Sequence, residues 1–172
     1  ILEQSEYNLY QIERQLKRWN SQFDKARTRD VASVSEAHQR LTQSVPAQGA
    51  AAIVHGDYRL DNCMVDPSGE VVAVLDWELC TLGDPLADLG VLMVYWTEPD
   101  DPFGALPGAA TTLAGFPGRA EVEAAYEAAS GRDVDSLDYY QAFGYWKLAC
   151  ILEGVFTRYK AGAMGNDGAD AD

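Results

Sequence analysis

Hydrophobic positions early in the chain recur at helical spacing. Leu9, Ile12, Leu16 and Trp19 form one stripe, which predicts an amphipathic helix over residues 5–19. Val31, Val34, His38 and Leu41 repeat the pattern and predict a second helix over about 30–43, in which His38 is a packed or half-exposed helix residue. A linker over 46–52 follows, and beyond it the period changes. Ile53 and Val54 make a short apolar strand that leads into a polar loop. Two further apolar runs, Cys63–Val65 and 71–75, flank the turn formers Asp66, Pro67, Ser68 and Gly69, which is a hairpin signal. A turn centred on 67–70 sets residue 66 opposite 71, and hence 62 opposite about 75.

Helical spacing returns downstream. Asp84 and Pro85 read as a helix start, the carboxylate capping and the proline at the first helical position, where a missing N–H costs nothing. Leu86, Leu89, Val91, Leu92 and Val94 leave that helix little polar face, so it is predicted to be buried. Residues 97–118, rich in Pro, Gly, Asp and Thr, read as a long loop over the site. A helix over Arg119–Ser130 closed by Gly131 comes next, then one over about 136–159 with Leu137, Tyr140, Trp146, Leu148, Ile151, Leu152, Val155 and Phe156 as mainly core residues. The segment 161–172 reads as a frayed, flexible tail. There is no internal repeat. The pattern is that of an α+β chain, mainly helical with a small β-hairpin, and 172 residues with 47% hydrophobic content suffice for one domain or one lobe, placed at 1–160.

The hairpin places its chemistry in one spot. Residues 55–62 read HGDYRLDN, with Asp57 on the loop and Asn62 five residues later; the second strand runs into Asp76, Trp77 and Glu78. The inferred register brings Asn62 and Asp76 together at the open end of the hairpin. An amide oxygen and a carboxylate there form a hard, oxygen-only cation site, which suits Mg²⁺ held jointly with nucleotide phosphates better than zinc. Asp57, just before, can reach a hydroxyl bound beside the metal. Asp, Asn and Gly are also ordinary turn formers, but the lead-in strand, loop and hairpin length together are hard to obtain by accident.

This arrangement resembles the catalytic core of the aminoglycoside phosphotransferase and choline kinase family, which has a protein-kinase-like fold. The matching residues are His55, Gly56, Asp57 and Asn62 for the catalytic loop, and Asp76 for the metal-binding aspartate. Trp77 and Glu78 follow that aspartate where protein kinases have Phe and Gly, which makes a protein substrate less apt. The resemblance implies that Asp57 accepts or orients the proton of an acceptor hydroxyl, that Asn62 and Asp76 hold Mg²⁺ on ATP, and that His55 braces the loop. Phosphoryl transfer through a loose transition state depends on positioning and charge neutralisation, so Asp57 needs no raised pKa. Asp88 lies in the first turn of the 84–95 helix, where the macrodipole alone explains a carboxylate; the resemblance adds that it anchors the catalytic-loop backbone. Arg59 and Glu78 flank the loop and are candidates for substrate contacts, for pairing with each other, or for bracing. In the family the C-terminal helices line the acceptor pocket, which makes Tyr139, Tyr140, Trp146 and Glu153 places to look for contacts, although aromatics at helical spacing are more often core.

YRLDN and VLDWELCTLGDPLADLG further resemble kinase-like domains associated with acyl-CoA dehydrogenases, a subgroup implicated in phosphorylating hydroxyacyl-CoA. The acceptor stays open between that, an aminoglycoside and a choline-like or sugar alcohol. No Gly-rich loop and no strand lysine precede His55, so the chain resembles the C-terminal lobe of such an enzyme without its N-terminal, nucleotide-clasping lobe. Two other classes remain: a non-catalytic kinase-like binding module, and a Mg²⁺-dependent phosphohydrolase in which Asp57 directs water.

Charge narrows the partners. With 13 basic and 27 acidic residues the net charge is −14, which repels nucleic acid and anionic membranes and favours neutral or cationic acceptors. Arg14, Lys17 and Arg18 share a helix face and read as solvated surface charges. Three cysteines without metal spacing or an even disulfide framework fit a reducing cytoplasm, no apolar run approaches the ~20 residues that cross a bilayer, and no signal peptide is visible. Oligomeric state is not legible.

Overall fold

The computed structural model describes residues 4–47, 49–101 and 109–162, with side chains from residue 12 onward. Helices α1 (Gln4–Ala26) and α2 (Ala32–Gln43) lead to strand β1 (Ala52–Val54), the hairpin β2 (Cys63–Val65) and β3 (Val71–Val74), and strand β4 (Thr81–Gly83). Helices α3 (Leu86–Tyr95), α4 (Arg119–Ser130) and α5 (Leu137–Lys160) complete the chain. The architecture is mainly helical α+β, as the hydrophobic pattern predicts.

Helix α1 runs seven residues beyond the predicted end at 19, because Phe23, 1% exposed, continues the stripe of Ile12 and Leu16. Leu9 of that stripe lies outside the described side chains. In α2, Val34 and Leu41 are buried and His38 stacks on Trp146 with ring centroids 5.3 Å apart, so His38 is a packing residue.

The core is built where α3 crosses α5. Leu89, Leu92 and Met93 of α3 meet Tyr140, Phe143 and Trp146 of α5, with Leu16 and Phe23 of α1 and Val34 of α2 closing the cluster. The two helices approach closely because glycines sit at the crossing. A Cβ on Gly90 would lie 2.6 Å from the Tyr140 carbonyl carbon, and one on Gly144 would lie 2.8 Å from Val94 Cγ2. Helix α5 departs from expectation: Leu152 and Phe156 are exposed, at 54% and 45%, while Phe143, Cys150 and Glu153 are buried. The helix is apolar nearly all round, so spacing alone does not select the face that α1, α2 and α3 cover.

The strands form two separate antiparallel pairs. β1 pairs with β4, Ala52 facing Gly83 and Val54 facing Thr81, and β2 pairs with β3. In the hairpin Cys63 faces Val74, and Leu75 N–H donates to Asn62 O at 2.8 Å, so 62 stands opposite 75 as predicted. Nearer the turn the expected pairing of 66 with 71 fails. A bulge at Val65 sets it opposite Val71, and Asp66 N–H donates to Glu70 O instead. The cause is the Asp66 side chain, whose Oδ1 accepts from Ser68 N, Ser68 Oγ and Glu70 N and tightens the turn.

Asp84 and Pro85 start α3 as expected: Asp84 Oδ1 accepts from Leu86 N at 3.0 Å, and Pro85 has helical angles of φ −59° and ψ −22°. α4 ends at Gly131 in the left-handed region, φ 65°. Of the loop 97–118, the described parts pack onto the helices. Trp96 Nε1 donates to Pro117 O, Thr111 Oγ1 donates to Thr97 O, and Arg119 bridges Glu98, Asp101 and the Met93 carbonyl. Residues 102–108 and 163–172, and with them most of the predicted tail, lie outside the described residues.

Candidate functional site

The predicted catalytic loop connects β1 to a 3-10 turn at Leu60–Asn62, and the hairpin returns the chain to Asp76 beside it. The β1–β4 pairing ties the two ends of this unit together, so loop, hairpin and Asp76 form one closed segment. Strand β4 and the 3-10 turn at Trp77–Leu79 were not legible in the sequence.

The loop backbone is held from several sides. Asp88 Oδ2 accepts from His55 N at 2.6 Å and its Oδ1 from Gly56 N at 2.8 Å, two contacts that tie its carboxylate to the loop backbone. Burial pushes the Asp88 carboxyl above the usual carboxylate range, partly offset by these two N–H donors. His55 is 1% exposed. Its Nε2 contacts Leu75 O at 2.7 Å and its Nδ1 accepts from Asp57 N at 3.2 Å, an arrangement met by the tautomer protonated at Nε2. The ring also lies 4.8 Å from that of Trp77. His55 therefore links the loop to the end of the hairpin. Gly56 takes φ +87°, and a Cβ there would stand 2.9 Å from Leu79 O, so glycine is required on both counts.

Asp57 is half-buried. Its Oδ2 accepts from Asn62 Nδ2 at 3.2 Å, and the same Nδ2 donates to Asp57 O at 2.8 Å. Arg59 Nε lies 3.4 Å from Asp57 Oδ2, Arg59 Nη1 lies 3.1 Å from Asp61, and the guanidinium sits 4.9 Å from the centre of the Tyr95 ring. Of the roles open to Arg59 at the sequence level, bracing is what these contacts describe, and its ion pairs do not include Glu78.

Both amide hydrogens of Asn62 come from the nitrogen turned toward Asp57, which leaves its Oδ1 as an acceptor with no bonded partner among the described residues. Asp76 follows Leu75, the residue opposite Asn62, and is exposed, with φ 64°, the single non-glycine positive φ among the described residues. Such backbone is sparsely populated and is held by its surroundings. Among the described residues no three His, Cys, Asp or Glu side chains converge as a self-sufficient metal cluster. Two oxygen donors that need further oxygens from a ligand fit Mg²⁺ bound with nucleotide phosphates, the mode in which Mg²⁺ takes one or two protein oxygens and completes its shell elsewhere.

A cavity of about 360 Å³ opens beside the loop, where Gly56, Glu78 and Lys147 meet Arg14, Arg18 and Trp19 of α1. Arg14 and Arg18 are exposed, as expected of surface charges, yet they face this cavity. The described parts of the loop 97–118 do not line it. Tyr139, Tyr140, Trp146 and Glu153 do not line it either, and the expectation of substrate contacts there gives way to packing. Tyr139 Oη donates to Leu41 O, Trp146 Nε1 donates to Val34 O, Tyr140 is fully buried, and Glu153 accepts from Thr28 N and Arg29. Tyr139 and Trp146 fasten α5 to α2, and Glu153 fastens it to the connection between α1 and α2, where an aromatic or acidic residue is as useful as in a pocket. Lys147 carried no signal in the sequence, because a lone lysine in a long helix looks like any solvated one.

Comparison with known proteins agrees with this geometry. The sequence profile described as "Phosphotransferase enzyme family" matches residues 3–139. Acyl-CoA dehydrogenase family member 10 of Mus musculus is 36% identical over 156 residues, covering 88% of this chain and 14% of that protein. Acyl-CoA dehydrogenase family member 11 of Homo sapiens is 31% identical over 153 residues, covering 87% and 20%. The chain thus spans a fifth or less of these relatives. A crystal structure from Ralstonia eutropha JMP134, of a protein described as a candidate aminoglycoside phosphotransferase, superposes with a TM-score of 0.74 at 35% identity, covering 88% of this chain and 47% of that one. In sequence and in fold, this chain belongs to the phosphotransferase enzyme family.

Proposed function

We propose that the chain is the C-terminal, catalytic-loop lobe of an ATP- and Mg²⁺-dependent small-molecule kinase that moves the γ-phosphate to an acceptor hydroxyl. The observation that carries this reading is the contact of Asn62 with Asp57 at the open end of the hairpin, next to Asp76. In this reading Asp57 orients the acceptor hydroxyl and takes its proton; the Oδ1 of Asp57 has no partner among the described residues and is available for it. Asn62 and Asp76 would hold Mg²⁺, which supplies charge neutralisation on the phosphates. His55 and Asp88 position the loop, and Arg59 stands in ion-pair range of the Asp57 carboxylate.

The acceptor class remains aminoglycoside-like, choline-like or hydroxyacyl-CoA, the last supported by the two acyl-CoA dehydrogenase family relatives. The nucleotide-clasping lobe belongs to the same enzyme and docks on the strand pairs, where Ile53, Leu82, Met64, Val72 and Trp77 are exposed apolar side chains. We assign the enzyme to the cytoplasm, since Cys63, Cys80 and Cys150 are all free; among the described residues no helix is long and apolar enough to cross a membrane.

The test is phosphate transfer from γ-labelled ATP with Mg²⁺ into a pool of hydroxylated metabolites, using the chain extended upstream and its Asp57→Asn variant. Labelled product from the unmutated protein alone is expected. Unchanged turnover in Asp57→Asn overturns the assigned base, and ATP loss without a labelled metabolite identifies a hydrolase.

A further inference from the structure

Lys147 lies on α5, 91 residues from the catalytic loop in sequence, yet its Nζ donates to Gly56 O at 2.8 Å. That carbonyl belongs to the peptide that joins Gly56 to Asp57. Asp88 already holds the N–H groups of His55 and Gly56. The loop is therefore gripped on its donor side by a carboxylate from α3 and on its acceptor side by an ammonium from α5, helices that are themselves locked at the Gly90–Gly144 crossing. The ammonium is half-buried and stands 5.4 Å from the centre of the Trp19 ring, so α1 covers it as well. Burial pulls the Lys147 pKa down, opposed by the charges of Asp57 and Asp88.

A lysine is seldom placed out of water without a use for its charge. An ammonium has three donors, and Gly56 O takes one of them. Lys147 also lines the cavity beside the loop, with Arg18 and Glu78. We propose that Lys147 is a positioning residue for Asp57. It fixes the Gly56–Asp57 peptide from the acceptor side and so sets the placement of the Asp57 carboxylate. The catalytic half of this proposal rests on the phosphotransferase reading given above; the structural half does not.

The test compares Lys147→Met, which keeps length and removes charge and donor, with Lys147→Arg, which restores both. Methionine relieves a half-buried charge, so the variant folds, and a thermal melt verifies that. In the 172-residue chain, amide hydrogen exchange at 55–57 is expected to accelerate at least ~10-fold in Lys147→Met, with exchange in α2 unchanged and partial recovery in Lys147→Arg. In the upstream-extended enzyme, kcat is expected to fall roughly 10–100-fold in Lys147→Met, with the KM for ATP within about threefold of wild type, because misplacing a reacting group by ~1 Å costs that much. Unchanged exchange at 55–57 overturns the clamp whatever the protein's activity. Faster exchange with unchanged kcat overturns the positioning role, as does a wild-type enzyme that transfers nothing, the latter being also the failure of the phosphotransferase reading itself.

Discussion

Replacing Asp88 by alanine removes the acceptor of two backbone N–H groups at once, those of His55 and Gly56 at 2.6 and 2.8 Å. Alanine offers nothing in return, and His55 is 1% exposed, so water cannot readily replace the carboxylate at its N–H. Each stranded donor costs about 1–3 kcal/mol. Relief of the carboxylate's own desolvation, the cause of its raised pKa, offsets part of this, which leaves a net loss of about 2–3 kcal/mol. For a chain of this size that corresponds to a fall in melting temperature of roughly 4–12 °C, at about 2–4 °C per kcal/mol. Asp88→Asn retains one acceptor oxygen and should lose about half as much. The sign of the pH dependence follows from the raised pKa. The folded state takes up the Asp88 proton before the unfolded state does, so wild type gains stability relative to Asp88→Asn as pH falls from the raised folded value toward 3.8, and the difference is constant below it. Urea denaturation followed by circular dichroism at pH 7 and at pH 4.5 measures both effects. A loss under ~0.5 kcal/mol in Asp88→Ala with an unchanged urea slope would refute the reasoning, because it would mean the two N–H groups find partners elsewhere.

Two further outcomes are expected from the same geometry. Asp76→Gly removes the cost of an L-residue at φ 64° and should raise stability by up to about 1 kcal/mol while abolishing Mg²⁺-nucleotide binding in the upstream-extended enzyme; calorimetry of binding and a melt read the two separately. Gly90→Ala drives a Cβ to within 2.6 Å of the Tyr140 backbone, and the forced separation of α3 and α5 should cost about 1–3 kcal/mol in chemical denaturation, with Ala87→Gly as a control for helix propensity.

What the sequence made legible depended on distance along the chain. The hairpin, its open-end register and the contact of Asn62 with Asp57 follow from local spacing and turn residues, and the pairing agrees with the structure except at the Val65 bulge, where the hydrogen bonds of one aspartate side chain decide it. The anchoring contacts of Asp88 were foreseen through family resemblance, since a carboxylate in the first turn of a helix is explained by the helix alone. Long-range choices were hidden. α5 is apolar on most sides, so its buried face is chosen by α1, α2 and α3, and Leu152 is left outside while Glu153 is taken in. Glu153 is satisfied there only because Thr28 and Arg29 arrive from 125 and 124 residues away. Strand β4 is three residues long and ends in Gly83, too short for alternation to show. The hold of Arg59 on Asp57 depends on the 3-10 turn and on Tyr95, neither of which spacing reveals.

The pairing of β1 with β4 turns residues 52–83 into a loop closed at its neck, with every group assigned to the phosphoryl chemistry inside it except Asp88 and Lys147. The cavity walls at Arg14, Arg18 and Trp19 belong to α1, outside that neck. Substitutions at these three α1 residues therefore leave the internal bonding of the segment intact, and changes at the exposed hairpin tip of Ser68 and Gly69 stay remote from Asp76. Such a division lets the helical wall of the cavity vary while the closed segment is kept.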